Sequence, residues 1–132
     1  MAATFNFELL TPERLLLSAA AEQVVVPGSE GDFAVLAGHA PVISTLRPGV
    51  LEITLPQGRQ RIFVKKGVAE ADPERLTVLA QTAVAMEDLD TARIAAELKA
   101  AEAELAEAKD DQSKRMAEIL IDLLRRMQAK SV

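Results

Sequence analysis

The 132-residue chain has no cysteine, which removes disulfides, thiolate metal sites and thiol nucleophiles at once. It has a single histidine, His39, and one imidazole would need several oxygen ligands to complete a metal site. No apolar run approaches the roughly 20 residues of a membrane-spanning helix; "LLLSAAA", Leu15 to Ala21, falls far short. The start, "MAATFNFELL", lacks a basic region ahead of an apolar one and is not Arg-rich, so the chain is expected to act where it is made. A net charge of -5 supplies no basic footprint to displace counterions, which excludes a general nucleic-acid binder. Glycine and proline are absent from residue 74 onward.

What is present divides the chain in two. The apolar content of 49% suffices for a core. Residues 1–86 carry a net charge of -2, residues 87–111 of -6 and residues 112–132 of +3. An acidic segment followed by a basic one of similar length suggests two helices side by side with opposite charge. Upstream of them, "TFNFELL" alternates Phe5, Phe7 and Leu9 with Asn6 and Glu8, the period of a strand with one buried face. "EQVVVPG", "GVLEITLPQG", "RQRIFVKKG" and "ERLTVLAQT" follow as further strands. "PQGRQ" reads as a hairpin turn in which Gly58 supplies the positive φ. Short strands with no helix long enough for a crossover predict an N-terminal antiparallel β-sandwich or barrel.

From "MEDLDTARIAAELKAAEAELAEAKDD" the period changes. Ile94, Leu98, Ala101, Leu105 and Ala108 form a heptad-like stripe, and Asp88 or Asp90 can cap its start. Met116, Ile119, Leu120, Leu123, Leu124 and Met127 form a second stripe, with "KDDQS" as the turn between. The expectation is a C-terminal antiparallel two-helix hairpin over 87–132 behind a β domain over 1–86. Alanines at its seam bury little surface at about 25 cal/mol per Å², so the hairpin is marginal unless it docks on something.

Catalysis by His39 finds little support. Ser29 and Ser44 are near in sequence, but neither lies in a nucleophile-elbow pattern such as G-x-S-x-G. A histidine hydrogen-bonded within its own Gly-rich loop, or one offered to a partner, suits the segment better. No catalytic and no metal-binding residue is assigned.

Several runs together carry a resemblance to a known family: "F-x-L-L-T-P-E-R" at the start, "V-P-G-S-E-G-D-F-A-V-L-A-G-H-A-P" from Val26 to Pro41, "L-R-P-G" from Leu46, "L-T-V-L-A" from Leu76, and "E-D-L-D-T-A-R" from Glu87 to Arg93. In order and spacing they resemble the epsilon subunit of bacterial F-type ATP synthase. The resemblance implies a β-sandwich held on the gamma subunit and the c-subunit ring, and a helical hairpin that in many bacteria restrains ATP hydrolysis. It implies a non-catalytic part of the central rotor, peripheral on the cytoplasmic face of the inner membrane and attached only through the complex. In the family the loop around His39 lies near the c ring, which makes Asp32, Gly38, His39, Ala40 and Pro41 the expected contact residues there. Where relatives usually carry two adjacent glycines this chain has Lys66 and Gly67, so a bulge or partner contact is expected to differ at that point.

Some members bind ATP through [I/L]-D-x-x-R-A. Here Leu89, Asp90 and Arg93 match and Ile94 replaces the alanine. Asp90, Arg93 and Arg126 are therefore the candidate nucleotide contacts. Asp122 stands where relatives offer a basic side chain, the surrounding acidic block repels a triphosphate, and no Gly-rich phosphate cradle is present. The expectation is weak or absent ATP binding and no cofactor. Lys114, Arg115, Arg125, Arg126 and Lys130 are the candidate regulatory cluster, available to the catalytic beta subunits, and to alpha, if the hairpin extends. A free-standing adaptor and a small metal-independent hydrolase remain the alternatives from other classes.

Overall fold

A computed structural model describes residues 3–130. The chain forms two compact units, divided between Ala85 and Met86. The first holds eight strands: β1 Phe5–Leu10, β2 Leu15–Ala21, β3 Gln23–Gly28, β4 Gly31–Val35, β5 Val42–Thr45, β6 Gly49–Leu55, β7 Gly58–Ala71 and β8 Arg75–Ala85. They make one hydrogen-bonded sheet in the order β2-β1-β8-β7-β6-β3-β4, and β5 also pairs with β7. β7, 14 residues long, and β8, 11 residues long, run through both layers. One half of β7 pairs with β6 and the other with β5, so the sheet folds over on itself as a sandwich.

Alternation decides which side chains point inward. Phe5, Phe7 and Leu9 on β1, Leu51 and Ile53 on β6, and Leu76, Val78 and Ala80 on β8 are buried, and the intervening residues face out. Gly58 takes φ 153° at the β6–β7 turn, the positive value expected of it. Three strands, β2, β4 and β5, were not singled out by the sequence pattern. β2 lacks a clean alternation, and β4 and β5 are only five and four residues long. All pairs are antiparallel except β1 with β8, which is parallel in the register Asn6↔Arg75 to Leu10↔Leu79. That pairing needs no helical crossover, because six intervening strands carry the chain round.

The Lys66–Gly67 position resolves without a bulge. The β7–β8 register does not shift between Ile62↔Ala85 and Ala71↔Leu76, and only Lys66 drops out of the ladder, between Lys65↔Thr82 and Gly67↔Ala80. Lys66 adopts φ 49°, alone among the described non-glycine residues in the left-handed region, a conformation that costs a side-chain-bearing residue about 1 to 2 kcal/mol. Gly67 makes the close approach: a Cβ there would stand 2.1 Å from the Leu79 carbonyl oxygen. The glycine requirement is thus met by the second residue of the pair.

The second unit begins with a short 3₁₀ turn, Met86–Asp88, then α1, Thr91–Glu107, and α2, Asp111–Lys130. Asp90, not Asp88, is the N-cap of α1, its Oδ1 accepting from the Arg93 N–H at 2.8 Å. Asp110 caps α2 in the same way, with the Ser113 N–H at 2.7 Å and the Ser113 hydroxyl at 3.1 Å. These bonds hold its exposed carboxyl below the usual range. Ile94 and Ala101 on α1 and Leu120 and Leu124 on α2 are buried, as the stripes predict. Ala117 and Ile121 are buried as well, while Met116, Ile119, Leu123 and Met127 are half-buried. The apolar face of α2 is therefore centred one residue away from the predicted stripe.

Candidate functional site

The β3–β4 hairpin and the loop that follows it hold the expected contact residues. Gly28 pairs with Gly31 across a two-residue turn, Ser29–Glu30, and a Cβ on Gly28 would meet the Gly31 carbonyl oxygen at 2.8 Å. Asp32 lies exposed at the start of β4, its carboxylate paired with the Arg47 guanidinium. Beyond β4, Gly38 turns the chain at φ 84°, and its N–H donates to the Pro73 carbonyl at 2.9 Å. That bond fixes the loop to the β7–β8 turn.

His39 is half-exposed. Its N–H donates to Leu36 O at 3.2 Å, and its ring Nδ1 lies 2.6 Å from the Ala40 carbonyl oxygen. A carbonyl only accepts, so Nδ1 carries the hydrogen of this bond. The Phe33 ring lies 6.4 Å away, tilted by 42°. Ser29 accepts a hydrogen bond from Thr45 Oγ1 at 2.8 Å, and Ser44 donates to Thr45 O at 2.9 Å. These hydroxyls brace backbone and each other, and His39 fastens its own loop. Gly38, Ala40 and Pro41 are exposed around it. Chemically this is a shaped, hydrogen-bonding surface rather than a proton-transfer site.

A second surface was not anticipated from the sequence. Register places Leu15, Leu10, Leu79, Val68 and Thr45 side by side across β2, β1, β8, β7 and β5. All five point away from the core. Leu15 is 50% exposed, Leu79 49% and Val68 39%. In the next row Ile43, 71% exposed, stands beside Glu70, Thr77 and Glu8. An exposed apolar row rimmed by acids is a docking surface by its chemistry. The legible signal was in β8, where "RLTVLAQTAV" carries Leu79 on the polar side of an otherwise regular alternation.

In the helical unit the candidate nucleotide residues have local partners. Asp90 is occupied as a helix cap. Arg126 pairs with Asp122 at 3.3 Å, one turn back, and Arg93 is exposed at the start of α1. Of the basic cluster, Arg125 reaches Glu102 on α1 at 3.4 Å, while Lys114, Arg115 and Lys130 are exposed along α2. Among the described residues no group of three or more potential metal ligands gathers. None of the helices in the described residues is long and apolar enough to cross a membrane.

Comparison with known proteins agrees with this architecture. Residues 4–86 match the beta-sandwich domain of the ATP synthase delta/epsilon chain family. The chain is 47% identical over 128 residues to the ATP synthase epsilon chain of Parvibaculum lavamentivorans, covering 96% of this chain and 97% of that one. It is 46% identical over 118 residues to the epsilon chain of Bradyrhizobium sp. strain ORS 278, covering 89% and 87%. In fold it is similar to a chain of the Euglena gracilis mitochondrial ATP synthase OSCP/F1/c-ring structure, with a TM-score of 0.74 at 22% identity over 98% of this chain and 82% of that one. A chain of the Tetrahymena thermophila ATP synthase central stalk and c-ring gives 0.66 at 12% identity, over 96% and 98%.

Proposed function

The chain belongs to the ATP synthase delta/epsilon chain family as an epsilon chain, a non-catalytic subunit of that complex, and from this premise we propose how its surfaces serve the rotor. The apolar row Leu15–Leu10–Leu79–Val68 docks on the gamma subunit. Asp32 and the Gly38–Pro41 loop meet the c-subunit ring. The single observation that carries this reading is the exposed apolar row across four strands. A lone sandwich gains nothing by leaving such a surface in water, and a permanent partner removes it from solvent.

The loop meets the ring through shape and hydrogen bonds. Gly38, Ala40 and Pro41 allow close backbone approach, His39 keeps its Nε2 beyond the Nδ1 bond to Ala40 O for a partner, and the Asp32 carboxylate keeps an exposed edge beyond its ion pair. Torque passes through many small contacts, none of which makes or breaks a covalent bond. Residues 1–86 suffice for assembly, and 87–132 act as the regulatory hairpin. When extended, it offers Lys114, Arg115, Arg125, Arg126 and Lys130 to the catalytic beta subunits and neighbouring alpha subunits and restrains hydrolysis. ATP binds weakly or not at all, because Asp90 is engaged as a cap and Arg126 is neutralised by Asp122. The chain sits on the cytoplasmic face of the bacterial inner membrane, held there only through the complex.

The test is reconstitution. The chain is added to gamma, the c ring and the alpha-beta hexamer, and association and ATPase rate are measured with and without residues 87–132. Association of both forms with gamma, and a lower hydrolysis rate with the full chain alone, is the expected result. A full chain that stays monomeric beside gamma would overturn the proposal.

A further inference from the structure

We propose that Arg47 is a positioning residue that clamps the β3–β4 hairpin and sets the place of Asp32. The inference rests on the reading of this hairpin and its following loop as the surface that meets the c ring, and extends it to a residue behind that surface.

The guanidinium lies between two acceptors supplied by one hairpin. Nη1 donates to the Gly28 carbonyl at 2.6 Å, and Nη2 pairs with Asp32 Oδ1. The first acceptor ends β3 and the second opens β4, so one planar fork spans the turn. Its side chain is 27% exposed, whereas the partners in the other ion pairs given above are each 50% exposed or more. A half-buried, bidentate, charge-assisted contact holds geometry better than a solvated pair.

The backbone around Arg47 is fastened to the same hairpin. Its N–H donates to Pro27 O at 3.0 Å, Ser29 N–H donates to Thr45 O at 2.8 Å, and Gly28 bridges Leu46. A Cβ on Gly49 would stand 2.6 Å from the Pro27 Cβ. The base of the arginine is thereby fixed against β3, and its extended side chain carries that rigidity out to Asp32. Beside Asp32 in β4, Phe33 places its ring toward His39. Arg47 thus acts on the contact loop through Asp32 and β4. Lysine could substitute only in part, because a single ammonium lacks the fork that reaches both acceptors at once.

The experiment uses the full chain with Arg47→Ala, Arg47→Lys and Asp32→Asn, read in two ways. In the free chain, amide exchange of Ser29 and Arg47 should rise by about tenfold in Arg47→Ala while exchange in β1 and β8 stays unchanged, the mark of local rather than global opening. With a gamma–c ring assembly, the dissociation rate should rise by about tenfold in Arg47→Ala. Arg47→Lys should give a partial rescue of both readouts, and Asp32→Asn should weaken binding with less effect on exchange because the Gly28 contact survives. Unchanged exchange at Ser29 and Arg47 overturns the clamp, and so does a rise matched throughout the sandwich. Loosened exchange with unchanged dissociation overturns its positioning role. If the unaltered chain does not associate with the ring assembly, the rotor-contact reading falls, and the exchange result alone decides the clamp.

Discussion

Leu79 provides the sharpest perturbation of the proposed docking face. It lies in the middle of the apolar row, between Leu10 and Val68, and is 49% exposed. Half a leucine side chain leaves on the order of 80 Å² of apolar surface in water, about 2 kcal/mol at roughly 25 cal/mol per Å², of which alanine keeps the part owed to its Cβ. Leu79→Ala should therefore weaken binding to gamma by about 1 kcal/mol, roughly fivefold. Leu79→Glu loses the same contact and adds the burial of an unpaired carboxylate, which costs several kcal/mol more. The expected loss is at least about 100-fold. Because the side chain points away from the core, neither change should disturb the fold, and amide NMR of β7 and β8 checks this. Surface plasmon resonance with immobilised gamma reads the affinity. Unchanged affinity of Leu79→Glu for gamma would refute the assignment of this face, however well the chain folds.

Four further outcomes are expected. Isothermal titration of the isolated chain should show no saturable ATP binding at micromolar nucleotide; a dissociation constant at or below about 10 μM, roughly -7 kcal/mol, contradicts the reading of Asp90 and Arg126 as internally engaged. Replacing Arg125 and Arg126 by alanine removes two exposed ion pairs, to Glu102 and Asp122, each contributing under about 1 kcal/mol, so the hairpin should persist while the complex hydrolyses ATP faster, most clearly at low salt. An unchanged rate at every ionic strength leaves these arginines as surface charge. Gly67→Ala should lower the urea midpoint of the β domain by a margin equivalent to about 3 kcal/mol, since the added Cβ meets backbone that cannot rotate away, whereas Lys66→Gly should be neutral to slightly stabilising as relief of the left-handed strain offsets the entropy of glycine. Both are followed by amide NMR, because the chain has no tryptophan or tyrosine to report by fluorescence.

Residues with a clean period gave themselves away. β1, β6 and the inward positions of β8 follow from alternation, and Asp90 and Ile94 from capping and helical spacing, because in each case one local rule dictates one face. β2, β4 and β5 escaped for a physical reason: each is short or apolar on both sides, and its identity is fixed by partners distant in sequence. The parallel β1–β8 pair is a property of chain path that no local pattern encodes. At the candidate site, the loop residues Asp32 and Gly38 to Pro41 came from the family resemblance. The apolar row and Arg47 did not, since a row exists only once register aligns four strands, and a clamp only once residues 15 and 19 positions apart meet. Lys66 drew notice as a departure, and the structure puts the close approach at Gly67, where a Cβ would stand 2.1 Å from the Leu79 carbonyl oxygen.

The central claim is that this chain is held on the rotor by its β-sandwich and couples gamma to the c ring. The measurement that tests it most directly is ATP-driven proton pumping by membranes bearing the complex depleted of this subunit, after adding back either the full chain or residues 1–86. The account predicts stoichiometric rebinding and restored pumping with both, and inhibition of hydrolysis with the full chain alone. Pumping that stays uncoupled after either form has been added, with neither retained on the membranes, would contradict it.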